Sequence, residues 1–254
     1  MKGIIADFTD YTDLKEVGAL SDLLLRNLEE NTIVLQILNQ KVKNISTGYD
    51  DTKAPYFDKG IQYYRDQGYG VSIRNSGGRS VVNDPGILNF SLMFKSTESI
   101  ESVYIYFYNF MKDALKPLGL TFKFGEIKGA YCPGAFDISV DLQKVAGTAQ
   151  RRIQDNTLVG CYLSVNGDQD HRATLISNFY KLTEDIIEVF PDKMTTLEAK
   201  VKRSLSILET KTLLIHHFKN ITDSTVDFDP ASFDSDAIDA SKQRNQSQQK
   251  RFNL

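Results

Sequence analysis

The sequence has little cysteine, little histidine and no excess of positive charge. Two cysteines and three histidines occur in 254 residues, and the formal net charge is -3. Two cysteines do not form a disulfide framework and favour a reducing cytoplasm. Neither has a Cys or His companion at metal-ligand spacing, which argues against a zinc site. Because the chain has no excess of basic residues, nucleic acid is not an expected partner.

The sequence also has no long apolar run, and we expect no leader segment. No stretch approaches the ~20 apolar residues that a helix needs to cross a bilayer. The first residues, MKGIIADFTDYTD, become acidic and polar at once, unlike a signal peptide. We therefore expect a cytoplasmic protein without membrane attachment. With 41% hydrophobic and 25% charged residues, the chain can bury a good core in one large domain or two small ones.

The spacing of apolar residues predicts strands through the middle of the chain, with helices at both ends and once between. A broad apolar stripe predicts a helix over residues 98–118, and the β-branched run Thr32–Leu38 predicts a strand. Polar residues 41–54 read as a loop. This order predicts an α+β fold with a central mixed sheet flanked by helices. Residues 222–254 are poor in apolar residues, so we expect a domain over 1–221 and then a polar tail with little fixed structure.

Residues 129–152 have the features of an active site. Cys132 lies between glycines, next to Pro133, and a strand pattern separates it from Lys144. A thiol and an ammonium on either side of one strand can meet across it, and a nearby cation stabilises a thiolate nucleophile. At about 4 Å that cation contributes on the order of 4 kcal/mol at an effective dielectric near 20, so one lysine can matter. The alternative is an incidental cysteine and a solvated lysine.

The second cysteine offers a comparison. Cys161 lies in a predicted strand, in phase with Val159 and Leu163, so its side chain points the same way as apolar neighbours. Free cysteine is among the most buried residue types. We therefore expect Cys161 to fill the core rather than to react.

A glycine-rich segment, NSGGRS at residues 75–80, follows another predicted strand. It lacks the Gly-Lys-Ser/Thr ending of a Walker loop and the following helix of a dinucleotide fingerprint. It is either a turn chosen for its backbone or a ligand loop, in which missing side chains let an acyl chain or a carbonyl oxygen approach the main chain. In a ligand loop, Arg74 and Arg79 could serve a charged or polar group.

These segments resemble known motifs. Residues 74–91, RNSGGRSVVNDPGILNFS, resemble the RRxSGGGxVxHDxGNLNxS signature of the biotin and lipoate protein ligase superfamily. Residues 131–139, YCPGAFDIS, and 144–152, KVAGTAQRR, are similar to the YCPGxYDLS and KxAGxxQRR pattern of its cysteine octanoyltransferases. The likeness is greatest to the type that takes its acyl group from glycine cleavage H protein. It covers roughly residues 22–218.

The resemblance implies a ligase-like catalytic domain with a central mixed sheet and a two-step amidotransfer. Cys132 would attack the octanoyl amide on the lysine of the H protein to give an acyl-thioester, and a lysine of a lipoyl domain of a 2-oxoacid dehydrogenase complex would accept the acyl group. Lys144 would lower the thiol pKa and handle protons. Backbone amides of Gly147 and Thr148 would hold the oxyanion. The other expected substrate-binding residues are Arg74, Ser76, Gly77 and Gly78.

Departures from the ligase pattern argue against ATP-dependent ligation. Asn83 stands where ligases carry His before Asp84, the chain end looks too polar for an accessory domain, and ligases lack a nucleophile at the position of Cys132. We therefore expect no metal, nucleotide or organic cofactor. Two rival functions remain open: an octanoyltransferase that uses acyl carrier protein as donor, and a lipoate ligase-like or non-catalytic carrier-binding module in which the thiol is incidental.

Overall fold

The computed structural model of the protein describes residues 1–39, 41–74 and 78–250, without the side chains of 247–250. Its strands are β1 (Lys2–Asp7), β2 (Thr32–Leu38), β3 (Asn44–Thr47), β4 (Gly70–Ile73), β5 (Val81–Asn83), β6 (Ile87–Lys95), β7 (Phe122–Phe124), β8 (Ile138–Val140), β9 (Gln143–Ile153), β10 (Asn156–Ser164) and β11 (Ser224–Asp227). Its helices are α1 (Leu14–Arg26), α2 (Phe57–Asp66), α3 (Ile100–Ala114), α4 (Gln169–Leu182), α5 (Leu197–Val201), α6 (Ile207–Ile221) and α7 (Ser235–Lys250).

Most strands belong to one large mixed sheet. Its order is β11-β1-β2-β6-β10-β9-β8-β7, and a smaller sheet has the order β4-β3-β5. In the large sheet β1 is parallel to β11 and β2, whereas the pairs from β2 through β6, β10, β9 and β8 to β7 are antiparallel. The mixed central sheet flanked by helices confirms the predicted α+β class.

Helices cover both faces of this sheet because strand β6 alternates apolar side chains to either side. On one face Phe90 packs with Phe107 of α3, in a cluster that includes Phe218 of α6. On the other face Met93 packs in a cluster with Leu20 of α1. Two buried faces explain why the β6 sequence is apolar almost throughout. Among the described helices, none combines the length and the apolar character that crossing a bilayer requires.

Local sequence patterns predicted several elements well. The strand predicted at Thr32–Leu38 is β2, and the helix predicted over 98–118 contains α3. Helix α3 begins after Ser99, whose side chain caps it by accepting a hydrogen bond from the Ser102 N–H. The loop predicted for 41–54 is wrong in part, because β3 lies inside it. Strand β3 pairs with β4 and β5, whose residues lie more than twenty positions further along the chain, so local polarity could not reveal it.

The expectation that residues 222–254 form a tail with little fixed structure is wrong for the described part. Strand β11 pairs in parallel with β1, and helix α7 packs against α1. The contact with α1 is only partly apolar, through Ile238, which packs against the cluster that contains Leu20. The fully buried Ser241 adds a polar contact by donating its hydroxyl to the carbonyl oxygen of Ala19 at 3.2 Å. Because polar residues contribute much of the attachment of α7, a count of apolar residues missed it.

Candidate active site

Cys132 lies in the connection between β7 and β8, in a backbone conformation that non-glycine residues rarely adopt. Its φ is +45°, in the left-handed region. The preceding Tyr131 is fully buried, and its ring lies 5.6 Å from the ring of Tyr162 in β10. Such strain persists where the surroundings over-determine it, and it recurs at functional sites. The buried tyrosine therefore anchors a strained turn that leaves the Cys132 side chain half-buried.

Two N–H donors meet the sulfur of Cys132. Its Sγ accepts hydrogen bonds from the backbone N–H of Arg79 at 3.1 Å and from Nη2 of Arg74 at 3.3 Å. Gly78 lies against the same atom, because a Cβ at that position would be 2.9 Å from Sγ, and its φ is +97°. A side chain there would push the sulfur away from its donors. The sequence-predicted residues Arg74 and Gly78 thus meet the thiol; Ser76 and Gly77 lie outside the described residues.

A buried carboxylate holds the segment that carries the Arg79 N–H. Asp51 is fully buried and accepts hydrogen bonds from the Ser80 N–H at 2.5 Å, the Ser80 hydroxyl at 2.7 Å and the Tyr180 hydroxyl at 3.2 Å. The Arg79 guanidinium pairs with Asp51 at 3.2 Å and with Asp185 at 2.8 Å. Burial raises the pKa of the Asp51 carboxyl, against the lowering effect of Ser80 and Arg79. Sequence reasoning missed Asp51, since it lies in the stretch read as a loop.

Lys144 is buried rather than solvated. Its side chain is 1% exposed, and Nζ lies 2.8 Å from Oδ1 of the equally buried Asp137. Nζ also donates to the carbonyl oxygens of Cys132 at 2.7 Å and Tyr131 at 3.1 Å. These contacts engage all three donors of the ammonium. Burial raises the pKa of the Asp137 carboxyl, against the lowering effect of the Lys144 charge.

The structure therefore brings Lys144 to Cys132, but to its carbonyl oxygen. Among the described contacts of the sulfur, the charged group is the guanidinium of Arg74. A strand pattern predicts that a lysine and a cysteine approach each other, yet it does not say which atoms meet.

Gly147 and Thr148 lie inside β9, where this strand pairs with β10. Gly147 pairs with Tyr162, and a Cβ on Gly147 would lie 2.5 Å from the Tyr162 ring. Thr148 donates its hydroxyl to the carbonyl oxygen of Phe136 at 2.7 Å. Both residues line the cavity next to Cys132. They tie β9 to the connection that carries the thiol.

A cavity of about 490 Å³ opens beside Cys132, and we call it the thiol cavity. Its apolar wall includes Leu38, Val81, Phe90, Tyr104, Phe136 and Leu158. Its polar groups include Gln36, Ser46, Asn83, Asn89 and Ser91. A volume of this size with mostly apolar walls and a few polar groups is typical of a small-molecule site. The thiol therefore faces a space suited to an aliphatic group.

A second cavity of about 620 Å³ adjoins the first, and we call it the helix cavity because α1 and α7 bound it. The two cavities share Gln36, Leu38, Arg74 and Arg151. Arg74 also touches the sulfur, so the helix cavity begins within one arginine side chain of the thiol.

Cys161 behaves as predicted. It is 7% exposed and packs in the core cluster with Phe90 and Leu163, and burial raises the pKa of its thiol well above the ordinary value. A thiol that stays protonated is a poor nucleophile. Within residues 1–39, 41–74 and 78–250, we find no cluster of three or more His, Cys, Asp or Glu side chains able to hold a metal ion.

Comparison with known proteins places this site in a family. The model of the lipoyl protein ligase A/B catalytic domain matches residues 13–219. The chain is 41% identical over 197 residues to octanoyl-[GcvH]:protein N-octanoyltransferase from Geobacillus kaustophilus, covering 74% of this chain and 65% of that protein. It is 35% identical over 188 residues to lipoyl-[GcvH]:protein N-lipoyltransferase from Listeria monocytogenes, covering 70% and 68%. The match thus spans about two thirds of these relatives' own length.

Solved structures agree on the fold. A lipoate-protein ligase A bound with ATP superposes with a TM-score of 0.73 at 18% identity, covering 96% of this chain and 94% of that chain. A bi-partite lipoate protein ligase from Thermoplasma acidophilum gives a TM-score of 0.68 at 16% identity, covering 96% and 90%. The family model covers most of the chain and includes Cys132 and every contact of its sulfur described above. The chain therefore belongs to the lipoyl protein ligase A/B catalytic domain family.

Proposed function

We propose that the protein is an amidotransferase that moves an octanoyl group from the lysine of glycine cleavage H protein to the lysine of a lipoyl domain, through a thioester on Cys132. The observation that carries this proposal is the Cys132 sulfur, which receives two N–H donors at the mouth of a largely apolar cavity. Relatives at 31–41% identity, named octanoyl-[GcvH]:protein N-octanoyltransferase, support the choice of acyl group and donor.

The reaction exchanges one amide for another. The Cys132 thiolate attacks the carbonyl carbon of the octanoyl amide, an S–C bond forms, and the C–N bond to the donor lysine breaks as its nitrogen takes a proton. The neutral amine of the acceptor lysine then attacks the thioester, loses a proton and displaces the thiolate. One amide is broken and one is formed, so the overall transfer needs no nucleotide.

The residues around the sulfur suit the first step. The N–H groups of Arg79 and Arg74 favour the anionic sulfur, because hydrogen bonds to charged groups are stronger than neutral ones. Lys144 adds positive charge beside the same residue and, in our proposal, handles the transferred protons. Gly147 and Thr148 lie on the cavity wall, and whichever of their two amides points away from β10 is the proposed oxyanion donor, because neighbouring residues of a strand turn their N–H groups to opposite sides.

The acyl chain lies in the thiol cavity in this proposal. Burying each CH₂ contributes about 0.8 kcal/mol, so an eight-carbon chain gains several kcal/mol from apolar walls such as Leu38 and Leu158. Gly78 leaves the entrance open beside the sulfur, and we propose that Ser76 and Gly77 also bind the acyl substrate.

A lipoyl chain is the second candidate acyl group, because the Listeria monocytogenes relative carries the name of a lipoyltransferase. Acyl carrier protein is the second candidate donor, since it would use the same thiol. A cytoplasmic location stays a prediction.

The test is to incubate the protein with octanoylated H protein and measure its intact mass. We expect a gain of one octanoyl group that disappears in Cys132→Ser and persists in Cys161→Ser, the matched control for a buried thiol. Unmodified lipoyl domain should then discharge the adduct. Lipoylated H protein and octanoyl-acyl carrier protein, run in parallel, identify the preferred acyl group and donor. No adduct on the wild-type protein with any of the three donors would refute acyl transfer by this thiol.

A further inference from the structure

Helix α7 forms one wall of the helix cavity. Lys242, Asn245 and Gln246 line that cavity together with residues of α1. The two helices pack closely there, since the Asn245 side-chain nitrogen would lie 3.7 Å from a Cβ placed on Gly18. Helix α7 also lies beyond the residues 13–219 that the family model matches. This wall therefore lies outside the segment that the family model matches.

The helix cavity, which α7 bounds on one side, adjoins the thiol cavity and shares lining residues with it. Gln36 and Leu38 of β2 belong to both, and Arg74 extends from the helix cavity to the sulfur of Cys132. An acyl chain that starts at the sulfur and is long enough to pass β2 would therefore enter the helix cavity and approach α7. An extended octanoyl group is roughly 10 Å long, because its successive C–C bonds of about 1.5 Å zigzag. Strands β9 and β2 are three spacings apart, or about 14 Å.

A three-arginine cluster on one carboxylate fixes α7 over the cavity. Asp22 of α1 is 2% exposed and pairs with Arg26 at 2.8 Å, Arg151 at 2.8 Å and Arg244 of α7 at 3.4 Å. Ser241 adds a hydroxyl contact to the same carboxylate at 3.4 Å. Burial acts to raise the pKa of Asp22, but the hydrogen bonds from Arg26 and Arg151 outweigh it and the pKa is lowered. Because Arg151 lines both cavities, the cluster links the position of α7 to the cavity wall.

We propose that α7 is the end wall of the acyl-binding site and sets the longest acyl chain that the protein transfers, an inference that rests on the acyl-transfer function proposed above. The side chains of α7 at this wall are an ammonium and two amides. A chain that extends past β2 would press its methylene groups against them and desolvate them without supplying hydrogen bonds, which is unfavourable. The wall therefore selects medium-length chains by penalising longer ones.

Two substitutions at the wall should shift chain-length preference in opposite directions. Asn245→Trp fills the helix cavity, and we expect thioester formation with dodecanoyl-H protein, whose chain is long enough to pass β2, to fall at least tenfold relative to octanoyl-H protein, while formation with hexanoyl-H protein is retained. The double variant Asn245→Ala/Gln246→Ala enlarges the cavity and should raise the rate with dodecanoyl-H protein at least fivefold relative to octanoyl-H protein. The matched control is Gln243→Trp, on the exposed side of the same helix, which should leave every ratio unchanged.

The rates are measured by intact mass, with donors of six, eight and twelve carbons, beside the urea midpoint of each variant. The inference is supported if the two variants at residue 245 change the ratio of dodecanoyl to octanoyl rates in opposite directions and Gln243→Trp leaves that ratio unchanged. If the wild-type protein forms the octanoyl thioester but all variants keep its chain-length ratios, the end-wall role of α7 is wrong and the transferase function stands. If the wild-type protein forms no thioester with any chain, the function fails and the inference falls with it.

Discussion

Two buried carboxylates flank Cys132, and they act on different parts of the residue. On one side Asp51 holds Arg79, whose N–H reaches the sulfur together with the guanidinium of Arg74. We call Asp51, Arg74 and Arg79 the sulfur network. On the other side Asp137 pairs with Lys144, whose ammonium reaches the carbonyl oxygen of Cys132. We call Asp137 and Lys144 the backbone network.

The two networks support different properties of Cys132: one its thiol reactivity and the other its backbone conformation. The backbone network binds the carbonyl groups of Tyr131 and Cys132 and so stabilises the turn in which Cys132 has its positive φ. The sulfur network supplies the donors that an anionic sulfur needs. Burial raises the pKa of both carboxyls, although Arg79 and Lys144 act against the rise. We infer that loss of the backbone network lowers the folding free energy, in addition to removing the proton handling proposed for Lys144. Loss of the sulfur network should lower mainly the reactivity of the thiol.

The largest effect is expected for Lys144→Met, which leaves Asp137 buried without its cation. Breaking a buried pair by removing one partner costs about 3–5 kcal/mol, so the free energy of unfolding in urea should fall by that amount. The control Lys200→Met breaks the pair of Lys200 with Asp141, an aspartate that is 76% exposed, and should cost less than about 1 kcal/mol. Equal losses in the two variants would show that the backbone network does not stabilise the turn.

A smaller effect, on reactivity, is expected for Arg74→Met. Removing the charged donor to Sγ should slow alkylation of Cys132 at neutral pH about tenfold, which corresponds to about 1.4 kcal/mol of lost thiolate stabilisation. The urea midpoint should change little. Arg203→Met, which breaks an exposed pair with Glu209, is the control for loss of an arginine and should react like the wild-type protein. If Arg74→Met leaves the alkylation rate unchanged, the hydrogen bond from Arg74 to the sulfur does not stabilise the thiolate.

The smallest effect is a pH dependence of stability that differs in sign between two buried aspartates. The folded pKa of Asp51 is raised, so its contribution is complete below the unfolded pKa of about 3.9 and is lost as pH rises through the folded value. The folded pKa of Asp22 is lowered, so its contribution is present above the unfolded pKa and is lost as pH falls through the folded value.

Unfolding in urea between pH 3.5 and 7 compares Asp51→Asn and Asp22→Asn with the wild-type protein. With rising pH, the stability of Asp51→Asn relative to the wild-type protein should increase, and that of Asp22→Asn should decrease. Parallel curves for both variants would contradict the direction of the Asp51 shift.

The sequence predicted that Cys132 and Lys144 lie close together, but it did not predict which of their atoms are in contact. The sequence alone distinguished the surroundings of Cys132 and Cys161, because glycines and proline flank the first and a strand alternation contains the second.

The sequence did not reveal the role of Asp51. Its partners Ser80 and Tyr180 lie 29 and 129 positions away, and the polar stretch around it reads as a loop. Helix α7 was missed for a related reason. Its attachment includes a long-range polar contact to α1 at Asp22, and long-range polar contacts leave no periodic signal.

The central claim is that Cys132 carries the acyl group during transfer, and its most direct test is kinetic. The protein is mixed rapidly with octanoylated H protein and unmodified lipoyl domain, and the thioester on Cys132 and the octanoylated lipoyl domain are followed by mass over time. If Cys132 carries the acyl group, the thioester appears before the product, and its rates of formation and discharge are at least as fast as turnover. A thioester that forms or discharges more slowly than the lipoyl domain is modified would contradict that claim.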